Sequence, residues 1–127
     1  MYTVAVFDGS QVAQVALAEL VALVNQSSSF ERVEKKRRGT GYVCGICEDK
    51  DWAAHLSAID RFLIEHADRF RLAAEAGISI VFDTAVSSDG NSEGMLWTTF
   101  AYPANLIQRM AASGAAPAIS VYPTGTP

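Results

Sequence analysis

The fold is decided by residues 51–86, which read DWAAHLSAIDRFLIEHADRFRLAAEAGISIVFDTAV. Apolar residues recur at helical spacing up to Gly77, and the predicted inward stripe is Trp52, Leu56, Ile59, Leu63, Ala67 and Phe70. Because a helix of about 26 residues is unusually long, we expect a break near His66. Gly77 is a typical helix stop, and the residues from Ile78 to Val86 alternate as in a half-buried strand.

The chain before this stretch contains a strand, a helix and a hairpin. Residues 3–7 are a short β-branched run ended by Asp8-Gly9-Ser10. Residues 11–25 form an amphipathic helix, and its predicted inward positions are Ala13, Leu17, Leu20, Val21 and Val24. Residues 30–47 are predicted to be two strands that turn near Gly39-Thr40-Gly41, with the basic run 32–38 as a solvated limb of that hairpin.

The chain after this stretch adds a turn, a strand, a helix and a last strand. We predict a turn at 87–92, a strand at 95–102, a helix from Pro103 to Gly114 with Leu106, Ile107 and Met110 inward, and a strand at 118–122. The resulting order is β-α-β-β-α-β-β-α-β. It predicts a single α+β domain over residues 1–127, with a mostly antiparallel sheet and helices on one face.

Composition excludes several classes of function. The 127 residues are half hydrophobic, and ten Lys and Arg against fourteen Asp and Glu give a net charge of −4. An acidic chain disfavours binding to nucleic acid through its phosphates. No apolar stretch approaches the roughly 20 residues of a membrane helix, and the first residues lack the pattern of a signal peptide. We therefore expect a cytoplasmic protein that binds neither nucleic acid nor membrane.

The sharpest local motif is Cys44-Gly45-Ile46-Cys47, because two thiols at this spacing before a helix can form a redox couple. Two features oppose this interpretation. The carboxylates between Glu48 and Asp51 would raise the thiol pKa, and the two-residue period of a strand would point Cys44 and Cys47 to opposite faces. Thiol–disulfide chemistry at Cys44 and Cys47 is kept as an alternative.

No other motif indicates catalysis, a metal or a cofactor. His55 and His66 would lie roughly 16 Å apart along a helix at 1.5 Å per residue, too far to chelate one ion, and each is expected at the boundary of the core. A nucleophile elbow, a phosphate-cradling loop and a dinucleotide fingerprint are all missing from the sequence. We therefore expect a chain without metal, cofactor or catalytic residues.

Negative charge is concentrated after residue 38, where five basic and ten acidic residues give −5. Such a surface can steer association with a cationic protein. The predicted partner-binding carboxylates are Glu48, Asp49, Asp51, Asp83, Asp89 and Glu93.

The C-terminal part carries a family resemblance. Residues 100–114, FAYPANLIQRMAASG, are followed by Ile119-Ser-Val-Tyr122, and together with the layout of residues 42–122 they resemble the bacterial domain-of-unknown-function 4279 family. The N-terminal third lacks the Pro-rich early turn of that family. The resemblance implies an α+β domain with no assigned activity. Related small domains are often met near bacterial toxin genes, where acidic single-domain proteins serve as immunity factors.

The sequence thus favours a non-catalytic protein-binding domain, most concretely an immunity protein or antitoxin that neutralises a cognate bacterial toxin. Its partner would be a protein, and the chain itself a monomer or homodimer. The alternatives are the thiol–disulfide oxidoreductase and a small-ligand sensor that uses the open face of the sheet, with Trp97 and Tyr102 as wall residues.

Overall fold

A computed structural model describes residues 1–87 and 100–122. A short 3-10 turn, Gln11–Ala13, leads into the first helix. The strands are β1 (Tyr2–Gly9), β2 (Glu34–Lys35), β3 (Tyr42–Cys47), β4 (Ile78–Ser87) and β5 (Ala115–Tyr122). The helices are α1 (Gln14–Ser27), α2 (Trp52–Glu65), α3 (Ala67–Glu75) and α4 (Ala104–Ala112). None of the helices in these two ranges is long and apolar enough to cross a membrane.

The five strands form one sheet in the order β2-β3-β1-β4-β5. The central strand β1 is antiparallel to both β3 and β4, and β2 is antiparallel to β3. These four strands have the split β-α-β arrangement of ferredoxin-like domains. The last strand, β5, is parallel to β4, because α4 returns the chain to the end of the sheet where β4 begins.

The α+β class and the mostly antiparallel sheet are confirmed, and the parallel β4–β5 pair makes the sheet mixed. The predicted strand 95–102 is not confirmed. Residues 95–99 lie outside the described part of the chain, and residues 100–102 belong to no strand. The first limb of the hairpin shrinks to the two residues of β2, whereas β5 starts at Ala115, three residues earlier than predicted.

The described helices pack on one face of the sheet, as predicted. Phe7 of β1 is fully buried, and its ring contacts Phe62 of α2 and Phe70 of α3 at centroid distances of 6.3 and 5.9 Å. The same core cluster includes Leu17 of α1 and Met110 of α4. The alternate side chains of β1 therefore point away from the helices.

The long helix breaks at His66, which separates α2 from α3. Two details of the predicted stripe are wrong, and the break, which changes the phase of the stripe after His66, accounts only for the second half of the helix. Ala67 is exposed, whereas Phe62, absent from the predicted stripe, is fully buried. Gly77, which follows α3, has a φ of 87°, in the left-handed region that favours glycine at a helix end.

Helices α1 and α4 follow their sequence patterns closely. All five predicted inward residues of the first helix are buried. Pro103 precedes α4 as its N-cap residue, so the helix begins at Ala104, one residue later than predicted. Leu106 and Met110 are buried, whereas Ile107 is 41% exposed because the packed stripe of this two-turn helix is narrow.

Both histidines are fully buried, so the prediction that they lie at the boundary of the core is wrong. His55 is buried together with its hydrogen-bond partners. Its Nδ1 lies 2.7 Å from Thr3 Oγ1, which in turn lies 2.6 Å from Thr84 Oγ1, and its Nε2 lies 2.6 Å from the Asp49 carbonyl oxygen. Since a carbonyl only accepts, Nε2–H donates to the Asp49 carbonyl oxygen, while Nδ1 is hydrogen bonded to the Thr3 hydroxyl. This network ties α2 to β1, β4 and the β3–α2 loop.

Candidate partner-binding face

The side of the sheet opposite the helices is called the open face. Strand alternation and register define its residues. Val4 pairs with Gly45 and Asp83, and Val6 pairs with Val43 and Val81. No helix of the described ranges packs against it. The open face includes Tyr2, Val4, Val6, Val43, Gly45, Val81, Asp83, Ala85, Ala116, Ala118, Ser120 and Tyr122.

An apolar patch occupies the middle of the open face. Val43, Val6 and Val81 are neighbours across three adjacent strands, and Val4 lies next to them along β1. All four valines are half-buried, as expected for a sheet surface without a second layer. Directly paired residues on a sheet are about 5 Å apart, so the valines form one continuous patch.

Asp83 places a carboxylate beside this patch, between Val4 and Ala118. Ser120 Oγ donates a hydrogen bond of 2.8 Å to Asp83 Oδ1, and among the described residues no hydrogen bond to the other carboxylate oxygen is found. The pKa of Tyr122 is raised, chiefly by Tyr2, to which it is hydrogen bonded, with a smaller contribution from Asp83. Two tyrosines thus stand at the same end of the open face as Asp83.

The β3–α2 loop contains three of the predicted carboxylates, and they have different roles. Asp51 Oδ1 accepts a hydrogen bond from Ala53 N at 3.2 Å and caps α2, while Asp49 Oδ1 accepts one from Asp51 N at 2.8 Å. Glu48 is exposed and borders the open face beside Tyr2 and Val4.

Of the six predicted partner-binding carboxylates, Glu48 and Asp83 therefore border the open face. Asp49 and Asp51 shape the start of α2. Asp89 and Glu93 lie outside the described residues.

Two further glutamates border the open face, and the sequence analysis did not identify them. A Cβ on Gly45 would collide with the Glu31 carboxylate, so this carboxylate occupies the open-face side of Gly45. Glu34 of β2 lines the same shallow depression as Val43 and Glu48. Glu34 belongs to the run 32–38 that was interpreted as a solvated limb, and Glu31 directly precedes it. The glycine between the buried residues Cys44 and Ile46 was the signal that another group approaches there.

The acidic rim is defined as Glu31, Glu34, Glu48 and Asp83. Arg32 lines the same depression as the three glutamates, so the charge that lines this depression is predominantly negative. Carboxylates around an apolar patch repel phosphates and attract lysine and arginine side chains. The rim thus has the chemistry of a surface for a basic protein.

The two cysteines lie at the helix-facing side of β3, against the prediction of opposite faces. Cys44 pairs with Ala5 and Cys47 pairs with Thr3, and both partners are buried toward the helices. A bulge causes this, because the register shifts by one residue between Thr3 and Val4 and β3 accommodates Ile46 as an extra residue.

The environment of Cys44 opposes a reactive thiolate. Its Sγ donates to the Glu31 carbonyl oxygen at 3.2 Å. Burial, with a smaller contribution from the Glu31 carboxylate, raises the pKa of the Cys44 thiol to about 12. An attacking thiol needs the opposite change in pKa. Cys47 is half-buried and lines a depression of about 380 Å³ with Tyr2, Phe30 and Arg61.

We expect Cys44 to react with iodoacetamide at pH 8 at least about a hundredfold more slowly than Cys47, because a pKa of about 12 leaves very little thiolate. Mass spectrometry on the Cys44→Ser and Cys47→Ser variants measures each remaining thiol separately. In guanidinium chloride the two rates should converge. Comparable rates in the native proteins would contradict this account of Cys44.

Of the two wall residues considered for a ligand sensor, Tyr102 lies in the described part of the chain. The ring of Tyr102 contacts Trp52 of α2 at 5.3 Å, so Tyr102 packs beside that helix. Burial, and to a lesser extent Asp83, raises the pKa of Tyr102. Trp97 is among the residues that the structure does not describe.

No known family, curated protein or solved structure gives a significant match to this chain. In residues 1–87 and 100–122, no three His, Cys, Asp or Glu side chains come together as metal ligands would. Function is therefore inferred from the open face and its acidic rim.

Proposed function

We propose that this chain is a non-catalytic protein-binding domain that uses the open face to dock a basic protein. The observation that supports the proposal best is the patch of four valines bordered by the acidic rim. An apolar centre with a polar border is the usual anatomy of a protein interface. The most concrete version, which draws on the resemblance to the domain-of-unknown-function 4279 family, is an immunity protein that neutralises a cognate toxin.

The shape of the open face favours a protein over a small ligand. The valine patch spans three strands and is bordered by shallow depressions, and small ligands usually need an enclosed pocket. Tyr2 and Tyr122 are 45% and 48% exposed at one end of the face. Exposed tyrosines are typical anchors in protein interfaces.

The charges specify the chemistry of the partner. Asp83 lies beside the patch and the three glutamates lie toward β2 and β3, so a bound protein would place apolar side chains over the valines and basic side chains on both sides. Ion pairs between these carboxylates and the basic side chains of the partner would be partly desolvated and would fix the orientation of the partner. The electrostatic field of the acidic rim would speed association.

The test is charge reversal on a partner first identified by affinity capture from the native host. The double variant Glu48→Lys with Asp83→Lys should slow association at least about tenfold, because steering and direct pairing are both lost. Glu75→Lys is the matched control, since Glu75 is exposed on α3 in the helical layer. Its association rate should stay within about twofold of the wild type.

Two outcomes would contradict the open face as the interface. One is an equal loss of association in the Glu75→Lys control, and the other is unchanged association in the double variant. Urea melts on both variants verify that the fold persists. For a cognate toxin, the double variant should also fail to rescue cells that express the toxin, while Glu75→Lys rescues them.

A further inference from the structure

His66 is a buried titratable group that makes no hydrogen bond with the described residues. Its side chain is enclosed at the break between α2 and α3, with Phe62 and Phe70 at ring distances of 5.1 and 5.4 Å. Within the described residues neither ring nitrogen has a hydrogen-bond partner. Such a ring is tolerated when neutral, but its protonated form would bring an unpaired charge into the core.

The nearest counter-charge to His66 is engaged elsewhere. Glu65 Oε1 lies 3.8 Å from His66 Nε2, beyond hydrogen-bond distance. Both oxygens of this carboxylate accept hydrogen bonds from Ser29, one from the backbone N at 2.7 Å and one from Oγ at 2.8 Å. Glu65 thus joins the end of α2 to the α1–β2 loop, defined as residues 28–33.

The α1–β2 loop leads directly to the acidic rim. Phe30 packs on Phe62 at 5.2 Å, and Glu31 places its carboxylate over Gly45 and its carbonyl oxygen against Cys44 Sγ. The far end of the loop is held independently, because Val33 exchanges two hydrogen bonds with the Asn25 side chain. The bonds between Ser29 and Glu65 therefore hold the start of this loop, two residues before Glu31.

We propose that His66 and Glu65 form a pH-dependent latch on the α1–β2 loop. When His66 is protonated, its Nε2–H attracts the Glu65 carboxylate, which then leaves Ser29 and releases the segment that holds Glu31 on the open face. Only one proton is taken up, and no covalent bond changes. The consequence for partner binding rests on the proposed function, whereas the release of the loop does not.

The surrounding charges set the pH range of the latch. Burial lowers the pKa of His66, with Glu65 acting in the opposite direction and Arg69 in the same direction as burial. Burial raises the pKa of Glu65, but the hydrogen bonds from Ser29, with His66 and Arg61, outweigh it and lower the pKa. Asp68 lines the same depression, to which α1 contributes the neutral Ser27. Glu65 therefore remains ionised while His66 titrates, and the latch opens below the usual histidine pKa of about 6.5.

Amide hydrogen exchange on the isolated full-length protein tests the latch. After correction for intrinsic rates, the protection of the Ser29 amide should fall about tenfold between pH 7.5 and pH 5 in the wild type. It should change little in His66→Leu or His66→Phe, which cannot be protonated. The Val33 amide is the internal control, because its bond to Asn25 should persist at both pH values.

Three results would overturn the latch: flat Ser29 protection in the wild type, an equal fall in the His66 variants, or a parallel loss at Val33 that signals general unfolding. A second measurement separates the latch from the proposed function. With a captured partner, the wild type should lose more affinity on acidification than His66→Leu does. If the Ser29 amide responds to pH but charge reversal on the open face leaves binding unchanged, the latch stands and the proposed interface fails.

Discussion

Phe62→Ala should lower the free energy of unfolding by about 3–5 kcal/mol, because it removes a fully buried ring from the centre of the core. This side chain joins α2 to the sheet, to α3 and to the α1–β2 loop. Its ring lies within 6.3 Å of those of Phe7, Phe30, His66, Phe70 and Phe82. Collapse around the cavity is limited because rigid rings surround it on several sides.

Urea-induced unfolding, followed by far-UV circular dichroism, measures this effect. Ile64→Ala is the matched control, since Ile64 lies on the same helix and is 54% exposed. Its cost should be below about 1 kcal/mol. Similar losses in the two variants would mean that the inward face of α2 has been assigned incorrectly.

His55→Leu should be the second costly substitution, lowering the free energy of unfolding by about 2–4 kcal/mol. Leucine has a similar size, but it leaves the Asp49 carbonyl oxygen without its donor and removes the hydrogen bond between His55 Nδ1 and the Thr3 hydroxyl. Unsatisfied buried polar groups cost about 1–3 kcal/mol each. The substitution would also interrupt the hydrogen-bond network that connects α2 to β1 and β4.

His66→Leu is the natural comparison, because His66 is equally buried and makes no hydrogen bond within the described residues. At pH 7.5 its effect should stay within about 1 kcal/mol of zero. Urea melts of the two leucine variants under identical conditions compare their losses of unfolding free energy. Equal costs would show that burial of the ring, and not its hydrogen bonds, determines the stability at both sites.

The difference in unfolding free energy between the wild type and His66→Leu should change with pH in a defined direction. The pKa of His66 is lower in the folded protein than in the unfolded chain, so the unfolded chain takes up a proton first as the pH falls. The contribution of neutral His66 is complete above about pH 6.5 and decreases as the pH falls below that value. His66→Leu removes this decrease, and the variant should gain stability relative to the wild type toward pH 5.

The period of the apolar residues was sufficient to predict the buried face of a helix wherever that helix packs on one surface. The inward residues of α1 were predicted correctly because its apolar residues follow a period of about 3.6 without interruption. The break at His66 was predicted from helix length, but its effect on phase was not, and Ala67 was therefore misplaced. Phe62 lies in α2, before this break, so its burial does not depend on it. Its place as the central ring depends on the rings that β1, β4, α3 and the α1–β2 loop bring to it.

The cysteine motif shows where local pattern fails. Its residues are adjacent in sequence, yet the face occupied by Cys47 depends on a bulge created by pairing with β1. A bulge reverses the alternation of every later residue in the strand, and no feature within Cys44-Gly45-Ile46-Cys47 specifies it. The buried state of His55 has a similar origin, since its partners Thr3 and Thr84 come from distant strands.

For the candidate site as well, some properties follow from the sequence alone and others only from the tertiary structure. The sequence alone determined that the chain is acidic, that it has an α+β pattern, and that Glu48 and Asp83 are candidate partner-binding residues, because these properties depend on composition and short-range spacing. Tertiary structure decided that Asp83 flanks a valine patch, that Glu31 reaches over Gly45, and that β5 runs parallel to β4. The physical reason is that a sheet face is assembled from strands far apart in sequence, so its neighbours are set by register and crossover rather than by any single segment.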